Sequence, residues 1–296
     1  MAENKPALGF IGLGMMGQGF TKRLAGAGYA ISGYDIVPEA IDNATQHGVT
    51  PAESPRAVAQ VSDIVLTCVT TTKALEKAVF GPDGVAEGAS VGKVLADFST
   101  TVVDSTKAMA KRLKTETGMG WVDAPVSGGP EGAEAGTLAI MAGGDDDDIA
   151  KVREVMDTVS AGFTVFGPVG SGQVAKMVNQ ILVLNNYAVL AEALALAEAG
   201  GIDARKIPEA LAAGHAGSNM LKNVFPRMID RDYAPRGYAR QILKDLDTLH
   251  DLAKTLNAPT PMSSQAGNLF RLLVSKGYSE LDGIAVLKLY DKNDSL

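Results

Sequence analysis

Three groups of residues have the types and spacing to do chemistry. The first is Gly12-Leu13-Gly14-Met15-Met16-Gly17, set between an apolar run, Ala7 to Ile11, and a helical stretch beginning at Gln18. Bare backbone N–H groups at the start of a helix bind phosphate. In G-x-G-x-x-G the first glycine allows a tight turn, the second lets the backbone approach a pyrophosphate and the third lets helix and strand pack closely. The second is Ser127-Gly128-Gly129, a hydroxyl and two bare amides that make a nest for a carboxylate. The third is Lys176, near the start of a long apolar stretch from Gly170 to Gly201. Gly172, Asn179 and Gln180 lie three or four residues from it and share its face on a helix. A lone cation among apolar residues needs a partner or a task. The plainer reading is a first-turn lysine with its head in water.

These groups need elements to hold them. Repeated alternation of apolar runs with helical stretches predicts an α/β fold with a mostly parallel, doubly wound sheet. Strands are expected at Ala7–Ile11, Gly28–Tyr34, Val61–Val69, Val94–Phe98, Met119–Ala124, Leu138–Ala142 and Phe163–Phe166, and Asp35 ends the second. Asp35 follows Gly17 at close to the roughly 20-residue spacing of a carboxylate on the adenosine ribose. No cation is adjacent to it, which favours NAD over NADP; Lys22, Arg23 and Arg56 are the cations that could approach in space. Val69 and Thr70-Thr71-Thr72 end the strand that an open parallel sheet places at its ligand crevice. The aspartates Asp145 to Asp148 read as the N-terminal cap of a helix over Ile149–Ser160 rather than as a metal site.

Beyond Phe166 the pattern changes. Gly170 to Gly201 reads as one helix, rich in Ala and Leu, without proline and closed by a Gly-Gly stop. Further helices are expected over Ile207–Ala213, Met220–Ile229, Arg240–Leu256, Ser263–Ser275 and Leu281–Tyr290. The expected domains are therefore residues 1–166, a Rossmann nucleotide-binding domain, and 167–296, an all-helical domain for substrate and oligomerisation. The long helix joins them, and a cleft between two domains suits a small-molecule site.

Composition removes several classes. The 296 residues carry a net charge of −7, and aromatics are 5%, so no basic stripe invites nucleic acid. Three separated histidines and one cysteine offer no metal-ligand spacing. Cys68, inside an apolar run, reads as a core residue and excludes an intrachain disulfide, which fits a reducing, cytoplasmic location. The glycine-broken N-terminal run is read as structure rather than a signal peptide, and no stretch is expected to span a membrane. The long helix is too apolar to face only its own domain, so part of it, around Val183 to Leu196, is expected in the interface of a homodimer or homotetramer.

Four motifs together carry a resemblance: Gly9-Phe10-Ile11-Gly12-Leu13-Gly14-Met15-Met16-Gly17, Asp123 to Gly129, Gly170 to Asn179, and Lys244-Asp245-Leu246. In kind, order and spacing the chain resembles, over nearly its whole length, the β-hydroxyacid dehydrogenases, which include 3-hydroxyisobutyrate dehydrogenase and tartronate semialdehyde reductase. The resemblance implies reversible NAD-dependent oxidation of a small 3-hydroxy acid to the 3-oxo acid, with Lys176 as the catalytic acid–base. It implies that Ser127, Gly128, Gly129 and Asn179 bind substrate and that Lys244 closes over substrate or cofactor. Gly12 to Gly17, Asp35, Val69, Thr70 and Thr100 would bind the cofactor, Ser99 and Thr100 beside the nicotinamide. A lysine near 10.4 is too basic to accept a proton at neutral pH, so a dry cleft and a neighbouring cation would have to lower it. Phe98 stands where the family usually has Met, and Thr70-Thr71-Thr72 where Leu-Pro is common. Ala216-Gly217-Ser218 is similar to the tartronate semialdehyde reductase branch, and His215 and Arg240 are candidate specificity residues. Other readings are a tartronate semialdehyde reductase, a threonate-type sugar acid dehydrogenase, an imine reductase, whose relatives usually lack this lysine, a 6-phosphogluconate dehydrogenase, and a non-catalytic NAD-binding module.

Overall fold

A computed structural model describes residues 5–291. The chain divides into two compact units, Met1–Lys176 and Met177–Leu296, so the division falls inside the long helix rather than before it.

The first unit runs β1 (Leu8–Ile11), α1 (Met15–Gly26), β2 (Ile31–Tyr34), α2 (Pro38–Thr45), β3 (Val49–Pro51), α3 (Pro55–Val61), β4 (Ile64–Thr67), α4 (Thr72–Phe80), α5 (Val85–Gly88), β5 (Val94–Asp97), α6 (Val103–Thr117) and β6 (Gly120–Asp123). It continues through β7 (Val126–Ser127), α7 (Gly129–Ala135), β8 (Leu138–Gly144), α8 (Asp146–Val159) and β9 (Ser160–Gly167), and ends in the first turns of α9 (Ser171–Ala199). The strands form one sheet in the order β3-β2-β1-β4-β5-β6-β8-β7, with β9 on β8. All pairings are parallel except β6–β8 and β7–β8. Strand order reverses direction at β1 and β4, and their carboxyl ends are where such a sheet leaves its ligand crevice.

Side chains alternate across the sheet, as the two-residue period requires. Leu8, Phe10, Ile64, Leu66, Val94, Ala96 and Val122 point to a core shared with Phe20 and Leu24 of α1 and Val152 and Met156 of α8. Ile11, Val65, Leu95 and Trp121 point the other way, to Val58, Leu75, Val79 and Leu113 of α3, α4 and α6. Helices thus cover both faces, and the strands read as near-continuous apolar runs for that reason. The two short elements α2 and β3 are absent from the sequence reading, because their segments are mostly polar and carry no clear period.

Several sequence expectations need correction. Three of the four aspartates do lie in the first turn of α8, where the helix dipole favours them, but Asp145 makes no side-chain capping bond. Asp148 is instead buried, with Lys151 at 3.5 Å and Lys114 at 3.8 Å. By length and hydropathy α9 is, against expectation, long and apolar enough to cross a membrane. Its polar residues nevertheless find partners on each side of the division. Gln173 is bonded in the first unit, and Asn185 donates to Ser263 at 2.9 Å in the second.

The second unit holds the rest of α9, then α10 (Ile207–Ala210), α11 (Asn219–Asn223), α12 (Phe225–Ile229), α13 (Ala239–Thr255) and α14 (Pro261–Ser275). Its core joins Leu184, Leu190, Ala191 and Leu194 of α9 to Phe225, Leu246, Phe270 and Ile284. The single helix expected over Met220–Ile229 is two, broken at Val224 because Pro226 has no N–H to continue the ladder. The last expected helix, Leu281–Tyr290, is a tighter 3-10 helix, Gly283–Leu289, started by Asp282, whose side chain accepts from the Ile284 N–H.

Candidate active site

The glycine-rich turn joins β1 to α1. Gly12 has φ +97°, and a Cβ there would meet the Cys68 carbonyl oxygen at 2.2 Å. A Cβ on Gly17 would meet the Gly12 carbonyl oxygen at 2.1 Å. Both glycines are therefore dictated by the protein itself. Gly14 is different: it has φ −68°, and a Cβ built on it meets nothing within 4 Å. It is the N-cap of α1, and among the described residues no side-chain capping bond is made there. An uncapped helix start behind a bare, open backbone fits a pyrophosphate, and this is the observation that makes the turn suit NAD.

Asp35 follows β2. Its Oδ2 accepts the Leu13 N–H at 2.6 Å and its Oδ1 the Val37 N–H at 2.9 Å. The carboxylate thus holds the turn as well as standing where the ribose is expected. The three cations that could have reached a 2′-phosphate are engaged elsewhere: Lys22 with Glu134, Arg23 with the Thr158 carbonyl, and Arg56 with Asp83 and Glu87.

The ends of β4 and β5 are tied together. The Val69 N–H donates to Ser99 Oγ at 2.9 Å, and the Val102 N–H to Thr72 Oγ1 at 3.1 Å. Thr71 caps α4 through the Ala74 N–H. The threonines that replace a Leu-Pro pair are therefore used, Thr71 as the cap of α4 and Thr72 as an acceptor for the N–H before α6. Phe98, in place of Met, stacks on Phe20 with ring centroids 4.4 Å apart, joining the end of β5 to α1.

Beneath this rim lie two carboxylates that the sequence does not single out. Asp97 and Asp123 are register partners on β5 and β6, and both are fully buried. Asp97 Oδ1 accepts from Thr67 Oγ1 at 2.8 Å and from the Ser99 N–H at 3.0 Å; its Oδ2 has no partner among the described residues. Burial, opposed by these hydrogen bonds, pushes its pKa up to about 7. Asp123 takes the Gly170 N–H at 2.7 Å and the Gln173 N–H at 2.9 Å, so a strand end caps the start of α9. Burial raises it to about 6 against those same bonds. A Cβ on Gly172 would meet the Met141 carbonyl oxygen at 2.5 Å and that of Asp123 at 2.6 Å, which shows how closely α9 is seated on the sheet.

Lys176 is in the second turn of α9, and its residue is only 8% exposed. Its Nζ donates to the Val126 carbonyl at 2.8 Å. Val126 immediately precedes Ser127, so the ammonium and the Ser127-Gly128-Gly129 loop meet within one unit. The loop departs from β7 with φ +137° at Gly128 and +71° at Gly129, values that side chains resist. In the second unit, Asn179 donates to Gln180 Oε1 at 2.9 Å and Gln180 donates to Asp245. Lys244 pairs with Asp245 at 2.8 Å, and Arg240 with Glu280 at 2.8 Å. No cluster of His, Cys, Asp and Glu among the described residues could hold a metal ion.

Two family models divide the chain between them. The NAD binding domain of 6-phosphogluconate dehydrogenase matches residues 7–170, and the NAD-binding domain of NADP-dependent 3-hydroxyisobutyrate dehydrogenase matches 170–290. The chain belongs to the β-hydroxyacid dehydrogenase family. Among curated members, a Pseudomonas aeruginosa NAD-dependent L-serine dehydrogenase is 34% identical over 96% of this chain and 97% of its own. An Escherichia coli 2-hydroxy-3-oxopropionate reductase is 35% identical over 95% and 96%. The crystal structure of a Salmonella typhimurium 3-hydroxyisobutyrate dehydrogenase covers 96% of this chain and all of its own at 31% identity, with a TM-score of 0.88. Like these β-hydroxyacid dehydrogenases, this protein is an oxidoreductase of hydroxy acids that uses NAD.

Proposed function

We propose that the protein catalyses reversible oxidation of a small 3-hydroxy acid to its 3-oxo acid, as in 3-hydroxyisobutyrate dehydrogenase, with Lys176 as the acid–base. The observation that carries this reading is the 2.8 Å bond from Lys176 to the Val126 carbonyl, which sets a nearly buried ammonium beside the Ser127 loop. When bound, NAD supplies the hydride acceptor. In the oxidation the neutral amine of Lys176 receives the alcohol proton and becomes the ammonium, and in the reduction the ammonium returns it. Its ammonium form also stabilises negative charge developing on the substrate oxygen. The Val126 carbonyl orients the lysine head, and Ser127 Oγ with the Gly128 and Gly129 amides holds the substrate carboxylate. By the family pattern Asn179 also contacts substrate, Lys244 contacts substrate or cofactor, and Val69, Thr70 and Thr100 contact the cofactor. The Asp35 carboxylate repels a 2′-phosphate, so NAD is preferred to NADP. Names of relatives point to substrates with a carboxylate and an oxygen on the third carbon. The test is a panel of L-serine, glycerate, 3-hydroxyisobutyrate, threonate and 2-(hydroxymethyl)glutarate with NAD and with NADP, on the wild type and Lys176→Ala. The variant should bind NAD normally and lose about 10²- to 10⁴-fold in kcat on the best substrate. Near-normal turnover in it would remove Lys176 from the mechanism.

A further inference from the structure

We propose that Gln173 is a positioning residue that locks the start of α9, and so Lys176, to the turn after β5. The inference rests on the reading of Lys176 as the acid–base. Gln173 is completely buried, an unusual place for a flexible amide unless every polar atom is used. Its Oε1 accepts the Thr101 N–H at 3.0 Å, and its Nε2 donates to the Ser99 carbonyl at 2.8 Å. The two bonds straddle Thr100, which the family pattern sets beside the nicotinamide. Only one orientation of the amide serves both, since the reverse would face an NH₂ group to an N–H and an oxygen to a carbonyl.

The same residue is held from behind. Its backbone N–H donates to Asp123 on β6, while Asp97, the register partner of Asp123 on β5, takes the Ser99 N–H. The Ser99–Thr101 turn is therefore gripped by Asp97 on one side and Gln173 on the other. Lys176 follows Gln173 by three residues, the spacing that shares a helix face. A change at Gln173 removes both bonds to the turn and loosens the start of the helix that carries Lys176, whereas neither bond involves the Ser127 loop.

Three variants test this, with kinetics on the best substrate of the panel. Gln173→Met keeps the length and removes both bonds. It should lower kcat about tenfold to a hundredfold, the cost of a misplacement of about 1 Å. Its substrate KM should stay within about threefold, because the carboxylate nest is intact. Gln173→Glu offers a donor and an acceptor when protonated, but only acceptors when ionised. Asp97 and Asp123, which hold the same turn and the Gln173 N–H, titrate in this range in every variant, so each variant is compared with wild type at the same pH, and the Gln173→Glu ratio should fall from pH 5.5 to 8.5 more steeply than the Gln173→Met ratio. The folded fraction of Gln173→Glu, followed by far-ultraviolet circular dichroism at each pH, separates the roles: a purely structural role moves kcat and folded fraction together, whereas a positioning role lowers kcat with the fold intact. If both variants keep kcat within twofold of wild type at every pH, the inference is wrong. Amide exchange on the wild type gives an answer even if a variant does not fold: the Thr101 N–H should exchange as slowly as the amides of β5, and fast exchange overturns the clamp. Lys176→Ala separates the two claims. An active Lys176→Ala enzyme ends the lysine reading, while an inactive one alongside normal Gln173 variants ends only the positioning role.

Discussion

Asp97 sets burial against charge more sharply than any other residue of the sheet. Its folded pKa of about 7 lies above the ordinary carboxylate value of 3.8, so the folded state holds its proton more tightly than the unfolded chain. The stabilising difference is fully present below about pH 4 and is lost as pH rises through about 7. The loss is on the order of 4 kcal/mol for a carboxyl raised this far. Asp97→Asn should remove part of the slope, leaving the contribution of Asp123. Urea unfolding at pH 5 and pH 8 would show the wild-type midpoint falling more than that of the variant; parallel falls would show that Asp97 ionises without cost. At this scale the sequence was partly legible. Lys176 stood out as a cation in an apolar stretch, and Ser127-Gly128-Gly129 as a hydroxyl beside two bare amides. Asp97, Asp123 and Gln173 did not stand out, because each is explained only by backbone groups brought to it from distant strands. Asp35 was legible in position but not in its second task, holding the Leu13 N–H.

Among the elements, the turn between β1 and α1 yields the clearest contrast. Gly12→Ala forces a side chain at φ +97° into the Cys68 carbonyl and should destabilise the fold by at least about 1–3 kcal/mol. Gly14→Ala meets no protein atom, and as an N-cap change it should cost less than about 1 kcal/mol. Yet it should weaken NAD binding tenfold or more by filling the space a pyrophosphate approaches. Thermal melts with NADH titrations on both variants check this, and a Gly14→Ala protein with wild-type affinity would contradict it. The elements easiest to read were those with a strong period and a clear stop. Val103–Thr117 has such a stop, because Gly118 ends it in the left-handed conformation. Pro226 and the short final segment near Ile284 misled the reading, since apolar spacing alone does not distinguish an unbroken α-helix from two short ones or from a 3-10 turn.

On the scale of the whole molecule, α9 has two faces within the second unit. Leu184, Leu190, Ala191 and Leu194 enter that unit's core, while Leu182, Val189 and Leu196 are exposed and recur every seventh residue. Exposed apolar residues repeated at one heptad position give the helix a row of side chains suited to packing against another helix. We propose that it packs against a second copy. Light scattering should give a mass at least twice the 30.7 kDa of one chain, and Leu182→Glu with Leu196→Glu should lower it. A single 30.7 kDa species in the wild type would refute the assembly.

Trp121, buried on β6 two residues before the carboxylate that caps α9, is the chain's one tryptophan. Its indole emission therefore follows the unfolding of the sheet unit and is silent for the helical one, whereas far-ultraviolet circular dichroism follows both. Melting curves from the two signals will coincide if the units unfold together and part if they do not. The protein thus carries an internal probe of its own cooperativity, with no label to attach.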